Sequence, residues 1–319
     1  MDMINSSALS TTQAFGEVLR KLGGLYKNMV VLDADLSNAI KTDAFATDYP
    51  ERHFNLGTAE ANMINSATGF ALRGKTVFAC SYAVYVSGRC YEQIRHGVCL
   101  PNLNIKIIGA NAGLMAGQDG AVNQSLEDIS LMRGLPNMKV FSPCDFYQTK
   151  RILGKIVDDY GPTYIRLLSK KTPQIYDENY QFTIGKGHVM GEGKDIGFIA
   201  TGATVHTCID ALNRLKEKSI YGRVVDMPSI KPIDRELIVQ TARECKLLVT
   251  VEDHNIIGGL GSAVAEVLSE DHPRELLRIG VDNAFGESGK WQQVYHRFGI
   301  DGEGIARRAI EWWKGLGYY

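Results

Sequence analysis

Residues 52–87 read RHFNLGTAEANMINSATGFALRGKTVFACSYAVYVS, and the order of elements in this stretch decides the fold. Ala59, Met63, Ala67 and Phe70 recur at roughly helical spacing. Thr58 stands where an N-cap is expected, and Glu60 falls in the first turn, facing the positive end of the helix dipole. Arg73-Gly74-Lys75 turns the chain, and 76–80 is an apolar run of the kind buried in parallel sheets. Tyr82 and Tyr85 follow directly. A carboxylate at a helix start and an aromatic pair at the mouth of the next strand could clasp a flat heteroaromatic ring. The acid would bond a ring nitrogen and the rings would stack. Spacing alone favours the plainer alternative, in which Glu60 only complements the dipole and the tyrosines are half-buried packing.

Outward from this stretch the same alternation continues. Residues 11–22 are helical, with Phe15, Val18, Leu19 and Leu22 on one face and Gly23-Gly24 expected to end the helix. Residues 29–32 form a strand with Asp33-Ala34-Asp35 at its carboxyl end. Open α/β sheets collect ligands there, so Asp35 is a site candidate, and equally a turn residue. A strand over 104–108 opens onto GANAGLMAGQDGAVNQS (109–125), whose glycines allow close backbone approach to a ligand. A strand over 138–141, a helix capped by Ser142 or Asp145, and a strand over 163–168 ending at Ser169-Lys170-Lys171 follow. A polar, turn-rich span then marks a linker, and a second series of strands and helices begins at Ile196. These signals divide the chain into domains at 1–175 and 194–319 with a linker at 176–193. Gly258-Gly259-Leu260-Gly261-Ser262 precedes a helix and could cradle a phosphate. It is not GxGxxG and has no acid placed for a ribose, so close packing or an interface is the favoured role.

Composition narrows the classes. The chain has 319 residues, enough for two domains, and is 45% hydrophobic with a formal net charge of −1. That charge gives no reason to expect nucleic acid or an anionic membrane as partner. No apolar run approaches the roughly 20 residues of a spanning helix, and the first residues lack the pattern of a secretory signal. The six cysteines form no CxxC pair and no zinc-type spacing. A cytoplasmic protein with packed, reduced thiols is expected.

FNLGTAEANM (54–63) resembles the FNVGIAEQNM-type signature of the pyrimidine-binding domain of transketolase-like, thiamine-diphosphate enzymes. SYAVYVSGRCYEQIR (81–95) is similar to that family's TFAVFASGRAYDQIR. The likeness runs collinearly through VVLDADLS (30–37), residues 113–143, VVDMPSIKPID (224–234) and VEDHNIIGGLGSAV (251–264). It implies two Rossmann-like α/β domains, a pyrimidine-binding domain and then a transketolase C-terminal domain. It makes Glu60 the catalytic acid that bonds N1′ of the aminopyrimidine, Tyr82 and Tyr85 its stacking rings, and Asp35 a further cofactor contact. The family's diphosphate and Mg²⁺ motif begins Gly-Asp-Gly and ends in Asn. GQDG does not match it, so Asp119 belongs to a substrate loop and this chain holds no metal. The implied partner is an N-terminal subunit carrying that motif, the implied assembly a heterotetramer, and the implied reaction transfer of a two-carbon ketol unit to an aldose.

Three departures bear on the substrate. Where split relatives read THAGLTVGEDGATHQ, this chain has Asn111 and Asn123 in place of the two histidines, with Asp119 retained. TREAFGE becomes TTQAFGE, which puts Thr12 in place of an arginine that binds phosphate in the family. Lys170 and Lys171 align with another phosphate-contacting arginine. The resemblance thus assigns Asp119 and Asn123 to the substrate's hydroxyls, and Asn111, Lys170 and Lys171 to its far end. It leaves a sugar phosphate, a branched pentulose phosphate and a sulfosugar open as donors, and the loss of cationic contacts favours a sulfofructose. The alternatives are a beta subunit of a 2-oxo-acid dehydrogenase decarboxylase and a non-catalytic regulatory subunit.

Overall fold

The computed structural model describes residues 5–318. Two mostly parallel sheets, each covered by helices, form its frame, and it is an α/β structure as expected. The first sheet runs His53–Asn55, Met29–Asp33, Thr76–Tyr82, Ile105–Ala110, Thr163–Arg166, Lys139–Phe141, Ser229–Lys231. All neighbours are parallel except the last pair. The apolar run at 76–80 is explained by this position. Val77 and Ala79 face a core with Val30, Leu32, Met63 and Ala67, while Phe78 and Cys80 face the opposite core with Phe15, Leu19 and Val31. A strand buried on both faces has no side to alternate.

Helix Thr11–Leu25 starts with a capping box. Ser10 Oγ accepts from Gln13 N at 3.1 Å, and Gln13 Oε1 accepts from Ser10 N at 2.9 Å. It does not end at Gly23-Gly24. A Cβ on Gly23 would fall 2.4 Å from the Tyr49 ring and 2.6 Å from the Phe45 ring, so this glycine admits an aromatic pair against the helix. Helix Glu60–Leu72 is capped by Ala59, with no side-chain bond, and not by Thr58. Asp145, not Ser142, caps Phe146–Ile156 by accepting from Gln148 N.

The second sheet runs Leu277–Val281, Leu247–Asn255, Ile196–Ala200, Gly222–Asp226, His188–Met190, with only the last pair antiparallel. His188–Met190 lies inside the span 176–193. Strand Ser229–Lys231 leaves the second half and closes an edge of the first sheet against Lys139–Phe141. All six cysteines are buried and unpaired. Among the described residues no helix is long and apolar enough to cross a membrane.

Candidate active site

Parallel register brings three strand ends to one edge. Asp33 pairs across from Cys80, and Tyr82 from Ala110, so Asp35, Tyr82 and Asn111 emerge side by side. Asp35 is exposed, has φ 61°, and donates its N–H to Asn55 Oδ1 at 3.1 Å. Asn55 Oδ1 also accepts from Gly57 N at 2.9 Å, which fixes the turn leading to Glu60.

Glu60 sits in the first helical turn and is only 4% exposed. A carboxylate this buried needs a charged or hydrogen-bonding partner. Arg89 Nη1 supplies it, donating to Glu60 Oε2 at 2.7 Å. The same guanidinium lies over the Tyr85 ring, 4.9 Å from its centroid. Tyr82 and Tyr85 are stacked, with centroids 6.3 Å apart and planes 16° from parallel. From there a hydrogen-bonded chain crosses the site. The Tyr85 hydroxyl donates to Asn123 Oδ1 at 2.7 Å, Asn123 Nδ2 reaches Asp119 O at 3.5 Å, and Asn111 Nδ2 donates to Asp119 Oδ2 at 2.7 Å. Burial raises the Tyr82 phenol above its usual range, and the negative charge of Asp119 adds to it, so the ring stays neutral.

The donor set fits a flat, nitrogen-bearing ring such as thiamine's pyrimidine. Arg89 occupies that space here. Its planar cation gives an N–H to Glu60 while lying on Tyr85, the two contacts such a ring would make. Arg89 was not among the residues singled out from sequence, although it falls four residues after Tyr85, within reach across one turn. The structure also explains Thr12. It is 2% exposed, and its hydroxyl donates to Leu168 O at 2.9 Å. Leu167 O accepts from Ala112 N at 3.3 Å, which sets the 169–171 segment beside Asn111. Lys170 is half-buried there and Lys171 exposed.

Beneath Asp35, Asp33 is fully buried. Its Oδ2 accepts from Ser37 and Thr42 and meets His53 Nε2, each at 2.7 Å. Burial pushes its carboxyl up, and these bonds bring it below its usual range. The glycine loop at 258–261 lies elsewhere. Its helix amides are already taken, since the Glu252 carboxylate accepts from Leu260 N at 2.7 Å and Gly261 N at 2.8 Å. A Cβ on Gly259 would fall 1.9 Å from Glu252 Oε2. Close packing, one of the two favoured roles, is what is seen. Among the described residues no three His, Cys, Asp or Glu side chains gather to hold a metal.

The profile "Transketolase, pyrimidine binding domain" matches residues 7–174, and "Transketolase, C-terminal domain" matches 185–305. The chain belongs to the transketolase family. A solved "Split gene transketolase, inactive beta4 tetramer" superposes on this transketolase-family chain with a TM-score of 0.89 at 43% identity, covering 95% of this chain and 98% of that one. A 6-deoxy-6-sulfo-D-fructose transketolase subunit of Clostridium sp. (strain MSTE9) is 38% identical over 89% of this chain and 88% of its own length. An apulose-4-phosphate transketolase subunit of Actinobacillus succinogenes is 35% identical over 89% and 92%.

Proposed function

We propose that this chain is the C-terminal subunit of a split, thiamine-diphosphate-dependent transketolase that moves a two-carbon ketol unit from a ketose to an aldose. The observation that carries it is the unbroken chain of contacts from Glu60 through Arg89, Tyr85, Asn123 and Asp119 to Asn111. Thiamine diphosphate, when bound, supplies the electron sink for breaking and making a carbon–carbon bond next to a carbonyl. Glu60 holds the pyrimidine by its N1′ and shares a proton with that atom. Tyr82 and Tyr85 bear the ring's face, and Asp35 completes the wall. Asp119 and Asn123 accept from and donate to the sugar's hydroxyls. Asn111, Lys170 and Lys171 meet its far end. A partner subunit holds the diphosphate and Mg²⁺, in a heterotetramer, and the assembly works in the cytoplasm. Similarity along nearly the whole of a split transketolase chain supports this division of labour.

We further propose a sulfonated ketose, a 6-deoxy-6-sulfofructose, as donor. Neutral Asn111 and Asn123 offer hydrogen bonds more than charge, and Thr12, turned inward onto Leu168 O, brings no cation, which suits a monoanion better than a phosphate dianion. The relative named for that sugar is consistent with it, while the relative named for apulose 4-phosphate keeps a branched donor as the comparison.

The test of the first proposal pairs this chain with a partner that has the Gly-Asp-Gly-to-Asn motif. Thiamine diphosphate binding, ketose consumption and pyruvate decarboxylation are then measured. Ketol transfer that falls more than about tenfold in Glu60→Gln, with assembly intact, is expected. Retention of more than about a tenth of the activity would remove Glu60 from its role. Pyruvate turnover would favour the dehydrogenase beta chain, and failure to bind the cofactor a regulatory one.

A further inference from the structure

The loop that carries Asp119 and Asn123 is built by the first half of the chain and held by the second. Leu114–Asp119 is a 3₁₀ segment kinked at Gly117, where φ is 66°, and it lies between Gly113 and Gly120, both at φ 72°. Irregular backbone of this kind leaves N–H and C=O groups that other elements must satisfy.

Residues of the second half do so from two sides. Asp253, in strand Leu247–Asn255 and 1% exposed, accepts from Leu114 N at 2.8 Å through Oδ1 and from the Tyr295 hydroxyl at 2.8 Å through Oδ2. Arg166 Nη2 bridges the Asp253 carbonyl at 2.7 Å and the Ser125 carbonyl at 3.1 Å, while Asp128 Oδ2 anchors its Nε at 3.0 Å. The fit is tight, since a Cβ on Gly113 would fall 2.2 Å from Asp253 Oδ2. On the other side lies the 282–290 loop. Ser288 Oγ donates to Gln118 O at 2.7 Å, Gly289 N to Gly117 O at 3.4 Å, and Glu287 O accepts from Gln124 Nε2 at 2.8 Å. Gln118 and Gln124 adjoin Asp119 and Asn123 in sequence, so the Gln118 carbonyl and the Gln124 side chain tie the loop on either side of the two substrate groups.

We infer that the second half of the chain sets the register of the substrate loop, with Asp253 and Ser288 as positioning residues for Asp119 and Asn123 toward a polyhydroxy ketose. The inference rests on the assignment of Asp119 and Asn123 to the sugar. Neither positioning residue touches substrate. Their effect is on where the loop's polar atoms stand, and it falls on ketose affinity more than on the bond-breaking step.

Ser288→Ala and Asp253→Asn test it in the assembled enzyme, by amide hydrogen exchange across 113–125 and by steady-state kinetics. The donor is whichever of xylulose 5-phosphate, fructose 6-phosphate and 6-deoxy-6-sulfofructose the wild type turns over fastest. Faster exchange confined to this loop is expected. So is a ketose KM raised about fivefold, the equivalent of one hydrogen bond, with kcat and the thiamine diphosphate Kd within about twofold. Unchanged exchange in both variants overturns the inference. So does faster exchange with unchanged KM, or a loss of kcat at constant KM. Should Asp253→Asn fail to fold, the exposed Ser288 decides alone. A wild-type assembly that binds the cofactor but consumes no ketose is a different failure. It overturns the proposed function and the substrate role of the loop, while exchange still decides whether the second half holds it.

Discussion

Asn111 and Asn123 bring neutral amides to positions where a histidine would bring a switchable charge. Asn111 is 3% exposed and bonded to Asp119, so it presents a fixed dipole rather than a mobile cation. The specificity ratio follows from this. The kcat/KM for 6-deoxy-6-sulfofructose should exceed those for fructose 6-phosphate and xylulose 5-phosphate. Asn111→His combined with Thr12→Arg should shift preference toward phosphate by about 1–3 kcal/mol, the scale of one or two charge-assisted bonds. A clear wild-type preference for either phosphate sinks the sulfonate donor. At this scale the placement of Glu60 at a helix start and of the tyrosine pair after the next strand was legible in sequence, and the structure brings them to one site. The sequence did not show Arg89 against Glu60, because a pairing of 29 residues' separation depends on how a helix start and the next helical segment meet.

Glu252 shows how an element can be read well and its stabilising contact missed. A helix following Gly258-Gly259 is read from sequence over 263–268, whereas it runs Leu260–Asp271 and takes Gly261 into its first turn, and the carboxylate filling that turn comes from the preceding strand. Burial pushes Glu252 up to about 7, and the two amide bonds oppose that rise. Glu252→Ala leaves two buried donors unmet and should lower stability by about 2–4 kcal/mol in denaturant unfolding. A loss below about 0.5 kcal/mol would show that the cap is replaceable by water. The long apolar runs were legible because burial on both faces removes alternation. Three-residue strands such as His188–Met190 and Ser229–Lys231 were not, because nothing in so short a segment distinguishes it from a loop before its neighbour is known. Gly23-Gly24 was misjudged for the same reason: a glycine that admits a ring looks, in sequence, like one that ends a helix.

Two predictions concern the whole molecule. The chain alone should fold, self-associate and consume no ketose even with thiamine diphosphate and Mg²⁺. Light scattering and a ketose assay check this, and turnover by the lone chain would refute the split arrangement. The second is a pH dependence. Asp226 is fully buried where strand Gly222–Asp226 meets the 144–180 region, with the Tyr176 hydroxyl at 2.8 Å and Gln148 Nε2 at 2.5 Å. Burial pushes its carboxyl up to about 7, against the opposing effect of those bonds. The folded chain therefore keeps a proton there that the unfolded chain releases near pH 4, so stability attributable to this group falls as pH rises from about 4 to about 7 and is level above. Asp226→Asn removes the dependence. Its Tm relative to wild type should rise between about pH 5 and about pH 8, and a constant difference would overturn the assignment.

The crossing strand Ser229–Lys231 bears on how such a chain can be cut and rejoined. An edge completed by a distant segment means that the first half is not a self-sufficient module. A gene fragment ending near residue 175 would leave Val140 and Phe141 on an open rim with main-chain groups free to recruit strands from other molecules. Fusion to a partner at either terminus, by contrast, leaves that seam untouched. Recombination in this architecture is therefore hazardous at the visible midpoint.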